Sequence, residues 1–477
     1  MLDKIFKSKI FVWIYNPLLF LLACAVVLKN EEINGVIIFA YIAAATLLLS
    51  SRLTDAMLPA LLLCVFATRC YGSADIFLAR IPFFIPPVVA IIAHFFIYRK
   101  IYAKNFRFGR SFLGLCAVTV AVTLGGLGTI PATDYFAGGA LYYVFGLGIG
   151  MIAFYMLVKA NFTEESGKEV ARVMYIVGLF ACFCVLRFYA ADWELFVSTR
   201  RFIYFQSSNN LATFLMLAMP FPLFYTSRRY VDIFSVVLIY ICTVMTGSRG
   251  GLLMGTVEFA VILVAFAIFD NSRVFNHFFY ASLIIGFIFV IVKYLPDIAA
   301  FYDFKLDSVS EDASTWEYFM ALKDYFIKSD SNSSEARVRL LERMFGDFKS
   351  NPVFGTGIGY TGNADIYNPQ KGAMNWYHMW FAQVIGGLGI VGILAYGYQL
   401  IDRIIIFFKN TSLLNFTLLL SYFGLFIMSQ VNPGEFCPMP YAALAVTFFI
   451  IMEKDEDNID FKAWWSKTKA KFKKKTA

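Results

Sequence analysis

Charged residues are scarce in this chain of 477 residues. Only 16% of the residues are charged, whereas 59% are hydrophobic and the mean hydropathy is +0.66. A water-soluble domain cannot bury so much apolar surface in one core, so this composition excludes a soluble globular protein. The scarcity of charge therefore predicts a protein that lies in a membrane.

Patterns typical of metal and redox sites are also missing. The eight cysteines are scattered, mostly within apolar runs, and none has the spacing of a zinc site or a redox pair. No Asp-x-Asp pattern occurs in the segments that we expect outside the membrane. We therefore expect neither a metal nor another cofactor. We also expect no nucleic acid as a partner, because no nucleic-acid-binding fold accompanies the basic residues.

Apolar runs of about 17 to 22 residues recur along the chain, and each is long enough to cross a hydrocarbon core of about 30 Å. We count roughly fourteen, with twelve as the alternative, and predict an all-α polytopic membrane protein. The first run lacks a small-residue cleavage site before KNEE, which predicts a retained span. The two shortest runs, 211–226 and 437–452, are candidates for re-entrant segments. The remaining predicted spans lie at 10–28, 33–50, 54–72, 80–98, 111–130, 139–159, 172–190, 231–247, 251–269, 277–295, 380–400 and 412–431.

Basic residues indicate the orientation, because Lys and Arg collect in cytoplasmic loops. Both ends of the chain, MLDKIFKSK and KTKAKFKKKTA, are basic, so both are expected in the cytoplasm and the number of spans is even. A long extracytoplasmic loop with short helices then lies between the last spans, and such loops are uncommon unless functional. The predicted segments are a cytoplasmic N-terminus (1–9), transmembrane helices 1–11 (10–295), the extracytoplasmic loop (296–379), transmembrane helices 12–14 (380–452) and a basic, lipid-binding cytoplasmic tail (453–477).

Arginines occur on the expected outer side, where basic residues are otherwise rare. They are Arg200 and Arg201 in STRRFIYFQSSNN, Arg249 in TGSRGGLLMG, and Arg337 and Arg339 in EARVRLLERMFGDF. Headgroup anchoring is one explanation, but anchoring favours the cytoplasmic side. An anionic ligand on the outer face explains them better, because guanidinium pairs with phosphate oxygens through two parallel hydrogen bonds. The glycines of TGSRGG fit either a close approach of the backbone to this ligand or a tight helix-ending turn.

The chain has only three histidines. His94 and His277 are expected at the cytoplasmic ends of their spans, where a structural role is the simpler explanation. His378, in NWYHMWFAQVIGGLGIVG, is expected outside, at the junction of the long loop and the next span. A histidine among aromatic residues can be structural. Beside outer arginines, a neutral imidazole can instead act as a base that removes a proton from a hydroxyl group.

These segments together resemble the O-antigen ligase and O-antigen polymerase superfamily. The resemblance covers residues 200–392: TGSRGGLLMG between two spans, EARVRLLERMFGDFKSNPVFGTGIG in the outer loop, and His378 followed by LGIVG. The spacing from Arg201 to Asn210 is also similar to the family's pattern. Departures from that pattern suggest an altered acceptor pocket, and they occur at Tyr204, Asn209 and Met379.

The resemblance implies a metal-independent membrane glycosyltransferase of the bacterial cytoplasmic membrane, with its active site on the outer side. The donor is a glycan on undecaprenyl diphosphate, and the acceptor is a hydroxyl group of a glycan or of a lipid-linked molecule. In this assignment His378 is the catalytic base, and the surrounding residues bind or support the diphosphate. Those implied to bind it are Arg201, Arg249 and Arg337, and those implied to support it are Arg200, Asn210 and Arg339.

Several activities remain open. A polymerase joins lipid-linked repeat units, whereas a ligase passes the finished glycan to lipid A core or another acceptor; the span count near fourteen favours the polymerase. A flippase for lipid-linked sugars is expected to have inverted repeats and ionisable groups near mid-bilayer. No repeat is evident, and the charges in the sequence are expected to cluster at one surface. A structural scaffold does not account for the long loop.

Overall fold

A computed structural model describes most of the chain. It covers residues 8–70, 81–105, 107–129, 143–199, 208–225, 229–269, 274–301, 314, 316–318, 320–321, 332–358, 377–431 and 434–454. These ranges are almost entirely helical and contain no strand. The all-α class expected from the sequence is therefore confirmed.

The helices follow one another with short connections. The first eight are α1 Lys9–Leu28, α2 Glu32–Leu49, α3 Leu53–Cys70, α4 Ile81–Ile97, α5 Arg99–Asn105, α6 Ser111–Leu124, α7 Gly150–Asn161, extended at its start by the π-helical turn Val144–Ile149, and α8 Ser166–Thr199. The next six are α9 Ser208–Ala218, α10 Pro222–Tyr225, α11 Arg229–Met245, α12 Arg249–Phe269, α13 Val274–Lys293 and α14 Leu295–Phe301. The last four are α15 Asn332–Ser350, α16 Trp380–Lys409, α17 Leu413–Met428 and α18 Ala443–Met452, and Gly434–Phe436 and Pro438–Ala442 are short helical turns before α18.

Several helices are apolar enough to cross a membrane. Within the described ranges four qualify by length and composition, and a fifth qualifies if α4 and α5, which are bent by 70°, count as one span. Eight further apolar helices have 10–17 residues. The four long ones are Val144–Asn161, Ser166–Ala191, Arg249–Ala267 and Trp380–Lys409. Several apolar spans are thus confirmed, whereas the number near fourteen stays a prediction.

Helix α9 lies at the centre of the bundle. Every side chain from Leu211 to Met219 is buried, and the helix packs against α8, α11, α12 and α17. A helix that is apolar on all sides is stable only when other helices surround it. The region predicted as one short span at 211–226 is therefore a buried helix that ends at Ala218, followed by the single turn α10.

Contacts between helix ends sort into two groups, one at each end of the bundle. At one end, here called the motif end, Ser248 bonds to Asn209 and the Trp380 amide donates to the Ser429 carbonyl. At the opposite end, different helix termini meet through three contacts: Arg52–Glu169, Lys159–Glu453 and Asn410–Met452. Antiparallel packing of successive helices requires this grouping, and the segments expected outside the membrane lie at the motif end.

Ionisable groups also lie inside the bundle, away from both ends. Arg403 of α16 forms an ion pair of 2.6 Å with Glu435, and Tyr422 of α17 bonds to both. Glu258 of α12 is fully buried against Gly424, and neither carboxyl oxygen has a hydrogen-bond partner among the described residues. The expectation that the charges cluster at one surface is therefore wrong, because these side chains point into the packed interior.

The stretch that starts at Ile401 also differs from its prediction. It was expected to form a cytoplasmic loop because it contains the charged residues Asp402 and Arg403. Helix α16 instead continues through Lys409. Both charged side chains are buried, Arg403 against Glu435 and Asp402 against Arg110. Each has a partner of opposite charge, so the helix has no reason to end before them.

Candidate functional site

The TGSRGG segment forms a tight connection between α11 and α12. Gly247 has a φ of +71°, a left-handed conformation that lets α11 end directly after Met245. Ser248 then caps α12, since its Oγ accepts a hydrogen bond of 2.9 Å from the Gly251 amide. Arg249 is the first residue of α12 and is half-buried at the motif end. An arginine stands here because this is where the helix leaves the apolar interior.

The two glycines after Arg249 allow close helix packing. A β-carbon on Gly250 would lie 2.7 Å from a methyl group of Val431, and one on Gly251 would lie 2.7 Å from the Ala212 side chain. Either contact is too short for any larger residue without a shift of the neighbouring helix. Of the two explanations that the sequence left open, the structure supports the turn and the packing.

The segment before α9 holds the capped turn in place. The Ser248 hydroxyl donates a 2.5 Å hydrogen bond to the side-chain oxygen of Asn209, so Asn209 rather than Asn210 contacts the connection. The Asn210 carbonyl accepts a hydrogen bond of 3.0 Å from the Tyr441 hydroxyl. Arg200 and Arg201 lie outside the described residues, and their role stays a prediction.

His378 occupies a constrained position just before α16. Its φ is +54°, which is uncommon for a residue other than glycine and persists only where the surroundings hold it. Its neighbours Tyr377 and Met379 are both buried. The Tyr377 amide donates to the side-chain oxygen of Gln383, at 3.2 Å, and the Trp380 amide donates to the Ser429 carbonyl, at 2.8 Å. The backbone on both sides of the imidazole is thereby fixed.

Helix α15 of the long loop packs against this segment. Its apolar side, with Leu340 and Met344, contacts Tyr377, Met379 and Ala382 in one buried cluster. Amphipathic spacing in the sequence predicted a helix here, and this is confirmed. The loop is therefore attached to the histidine segment through a small hydrophobic core of its own.

A polar contact completes the attachment of α15. The Tyr377 hydroxyl donates to Asp347, whose other oxygen lies 3.0 Å from Nε of Arg343. Burial and the neighbouring carboxylate both raise the pKa of Tyr377, so the phenol stays protonated and remains a donor. Arg339 is exposed on α15, and the backbone position of Arg337 lies three residues before Leu340, on the turn that precedes the buried cluster.

Helix α16 folds back on itself at Gly389. This residue has φ +61° and ψ −152°, which is not helical. The rings of Trp380 and Tyr396 lie 5.6 Å apart, although a straight helix would separate these residues by about 24 Å. The first part of α16 therefore runs back toward the motif end, and His378 begins at the depth of Tyr396, about 10 Å below the bend.

The bend is held by the glycine-rich end of the long loop. The Ile390 and Val391 amides donate to the carbonyls of Pro352 and Val353, at 2.9 and 3.2 Å. The amides of Thr356 and Gly357 donate to carbonyls of the Gly386–Gly387 pair, at 3.0 and 2.8 Å. The GTGIG and GGLGIVG segments thus contact each other backbone to backbone, which confirms the turn predicted at Pro352. Gly359 lies outside the described residues.

One turn of the chain joins the Arg249 and His378 segments. It follows α17, where Met428 and Val431 pack on Gly250 while the Ser429 carbonyl accepts from Trp380. The start of α12 and the residues beside the imidazole therefore lie on neighbouring parts of the same turn. Both predicted site residues in the described ranges that carry the central roles, one cation and one base, lie at the motif end.

Sequence reasoning missed the residues that support this arrangement. Ser248 had a recognisable signal, because a serine directly before a helix start is a common cap. Asp347, Gln383 and Ser429 had none, since each acts through a partner that is distant in the sequence or through its backbone. They bring the site together without carrying its chemistry.

Comparison with known proteins identifies the region that contains this site. Residues 234–397 match the family model described as O-Antigen ligase, which includes Arg249, the whole of α15 and His378. No curated protein and no solved structure matches the chain. The resemblance inferred from the sequence motifs is confirmed: the chain carries the O-antigen ligase domain over residues 234–397 and is a member of the O-antigen ligase and polymerase superfamily.

Proposed function

We propose that this protein is a membrane glycosyltransferase that uses a glycan on undecaprenyl diphosphate as donor, in surface polysaccharide biosynthesis. The family match supports a glycosyltransferase-like membrane enzyme. The observation that carries the proposal further is the turn after α17, which contacts the Arg249 helix through Val431 and the His378 segment through Ser429. A cation and a base beside one turn suit a reaction that needs both.

In the proposed reaction a hydroxyl oxygen of the acceptor attacks the anomeric carbon of the donor sugar. The bond from that carbon to the diphosphate oxygen breaks, and the lipid diphosphate leaves with its electron pair. The His378 imidazole removes the hydroxyl proton as the new bond forms. Arg249 stabilises the charge that builds on the diphosphate, with Arg201 and Arg337 as further cations and Arg200, Asn210 and Arg339 in support.

The recessed position of the histidine suits this chemistry. Because α16 folds back at Gly389, the His378 segment starts below the bend, beside the buried rings of Trp380 and Tyr396. Charge interactions with a phosphate are stronger where water is partly excluded. The positive φ of His378 is consistent with a residue that is held for function at the expense of backbone strain.

Substitution of the two central residues tests the proposal. We expect Arg249→Ala to reduce glycan transfer about 10²- to 10³-fold and His378→Ala about 10²- to 10⁴-fold, with donor accumulating on the outer leaflet. Arg249→Lys keeps the charge but loses the planar fork, so an intermediate loss is expected. Lys168→Ala, an exposed cation at the opposite end, is the matched control and should keep full activity. Full transfer by both Arg249→Ala and His378→Ala would refute the proposed site.

Polymerase and ligase differ in the product that disappears when the gene is deleted. We favour the polymerase, for which gels of surface glycans should lose every band above one repeat unit. Loss of all glycan from its final anchor, with long chains retained on the carrier lipid, would identify the ligase. The expected site of action is the outer face of the bacterial inner membrane.

A lipid-linked sugar flippase is the second candidate, and the buried ionisable groups favour it. Glu258 and the Arg403–Glu435 pair lie inside the bundle, where transporters often keep such groups. The two activities differ in where the donor accumulates in an inactive variant. Donor trapped on the inner leaflet of an Arg249→Ala strain would identify a flippase, whereas outer-leaflet donor supports the transferase.

A further inference from the structure

An apolar cavity of about 860 Å³ lies at the side of the bundle, away from the proposed site. Its walls come from α2, α3, α4, α7 and α18, and they include Ala60, Phe154 and Leu444. Two lining residues, Ile91 and Met439, are exposed on the outer surface of the bundle, so the cavity opens sideways. The volume falls within the range of small-molecule binding sites, about 300–1,000 Å³.

A buried histidine supplies the polar edge of this cavity. His94 lines the wall and is only 1% exposed. Its Nδ1 lies 2.7 Å from the Leu47 carbonyl, and since a carbonyl only accepts, Nδ1 carries the proton. Nε2 is then an acceptor, and it has no hydrogen-bond partner among the described residues. An occupant with a hydroxyl donor would satisfy it.

Cations lie beside the same edge. Helix α5 is bent by 70° from α4, and its Tyr102 forms part of the cavity wall. Lys100 and Lys104 of this short helix are exposed. The edge lies at the opposite end of the bundle from Arg249 and His378, because His94 contacts the end of α2 near Ser50. A lipid with its headgroup here is therefore separate from a donor bound at the motif end.

We propose that the cavity binds one acyl chain of an anionic glycerophospholipid, with its phosphate on Lys100 and Lys104. The wall is apolar and opens to the hydrocarbon that surrounds the exposed helix faces, so a hydrocarbon chain is the natural occupant. The exposed lysines select a negative headgroup, and the His94 acceptor suits one that carries hydroxyl groups, as phosphatidylglycerol does.

Native mass spectrometry of the full chain in detergent tests the acyl-chain site. Phosphatidylglycerol is added to the wild type, to Ala60→Phe, which fills the cavity, and to Ala45→Phe, the same change on an exposed face of α2. We expect the wild type and Ala45→Phe to retain one phospholipid per chain and Ala60→Phe to lose it at least tenfold. Equal retention by Ala60→Phe and Ala45→Phe would overturn the site.

The headgroup is tested by competition between phosphatidylglycerol and phosphatidylethanolamine. Each lysine near an anionic lipid contributes about fivefold, so Lys100→Gln with Lys104→Gln should lower the preference for phosphatidylglycerol roughly 25-fold. Lys168→Gln with Lys454→Gln, another exposed pair at the same end, should leave it unchanged. All four lysines are exposed, so this comparison does not depend on core packing. An unchanged preference in the first pair, or retention of a polyprenyl phosphate instead of phospholipid, would refute the proposal.

Discussion

Substitution of Gly389 by alanine tests whether the bend of α16 holds the His378 segment. The φ of +61° and ψ of −152° at this position are available essentially to glycine alone. A β-carbon there would also lie 2.6 Å from the Pro352 carbonyl oxygen and 2.7 Å from the Val353 carbonyl. Both neighbours are backbone atoms, so the clash cannot be relieved by rotation of a side chain.

The expected loss of stability follows from these contacts. The unfavourable conformation alone costs about 1–3 kcal/mol. Relief of the clash requires Pro352 and Val353 to move away, which breaks their hydrogen bonds from Ile390 and Val391, worth about 1 kcal/mol each. We therefore expect Gly389→Ala to lower the free energy of unfolding by about 3–5 kcal/mol, and to reduce glycan transfer because the segment bearing His378 is released.

Gly397→Ala is the matched control in the same helix. No atom lies within 4 Å of the place where its β-carbon would stand, and alanine favours a helix over glycine by about 1 kcal/mol. Thermal denaturation of both variants in the same detergent gives the comparison. Gly397→Ala should melt at or above the wild-type temperature and Gly389→Ala well below it. Equal melting of the two variants would show that the bend does not depend on glycine.

The remaining predictions concern buried polar groups. Glu258→Met should raise the free energy of unfolding by about 1–3 kcal/mol, because it removes two buried oxygens without partners; a lower melting temperature would reveal a missed contact. Arg403→Leu should cost about 3–5 kcal/mol by leaving Glu435 unpaired, and a second change, Glu435→Leu, should recover part of this loss in a double-mutant cycle. Tyr377→Phe removes the bond to Asp347 and should lower stability by about 1–3 kcal/mol while reducing transfer; unaltered transfer would separate α15 from the site.

The helices of this protein were largely predictable because their apolar runs are long. Helix α12 was expected at 251–269 and lies at Arg249–Phe269, since nothing polar interrupts the run except Glu258. The amphipathic helix α15 was equally clear, because a packing face repeats every three to four residues. In both cases the signal is local and survives without knowledge of the neighbours.

The bend at Gly389 could not be predicted from its neighbours. Glycine within LGIVG also fits a straight apolar helix, and only the docking of Pro352 on the following amides requires the unusual backbone. The ion pair between Arg403 and Glu435 was missed for a similar reason. Each residue alone resembles a loop residue at a span end, and their attraction depends on how α16 and the turn before α18 pack.

The location of Arg249 and His378 at one end was predicted from loop charge and helix alternation. What holds them there was not, because the Ser429 carbonyl and the methyl group of Val431 act through shape and backbone. Residues that perform chemistry must have particular functional groups and are recognisable by type. Residues that position them need only fit, so many residue types serve and no motif results.

The reversal of α16 affects how membrane crossings are counted by tagging. Reporters fused after Met379 and after Ile390 are separated by a helical segment, yet that segment turns back instead of traversing the bilayer. Both fusions should report the same compartment, and the next fusion to change sides should lie beyond Lys409. Hydropathy alone would assign the change of side to the whole thirty-residue helix.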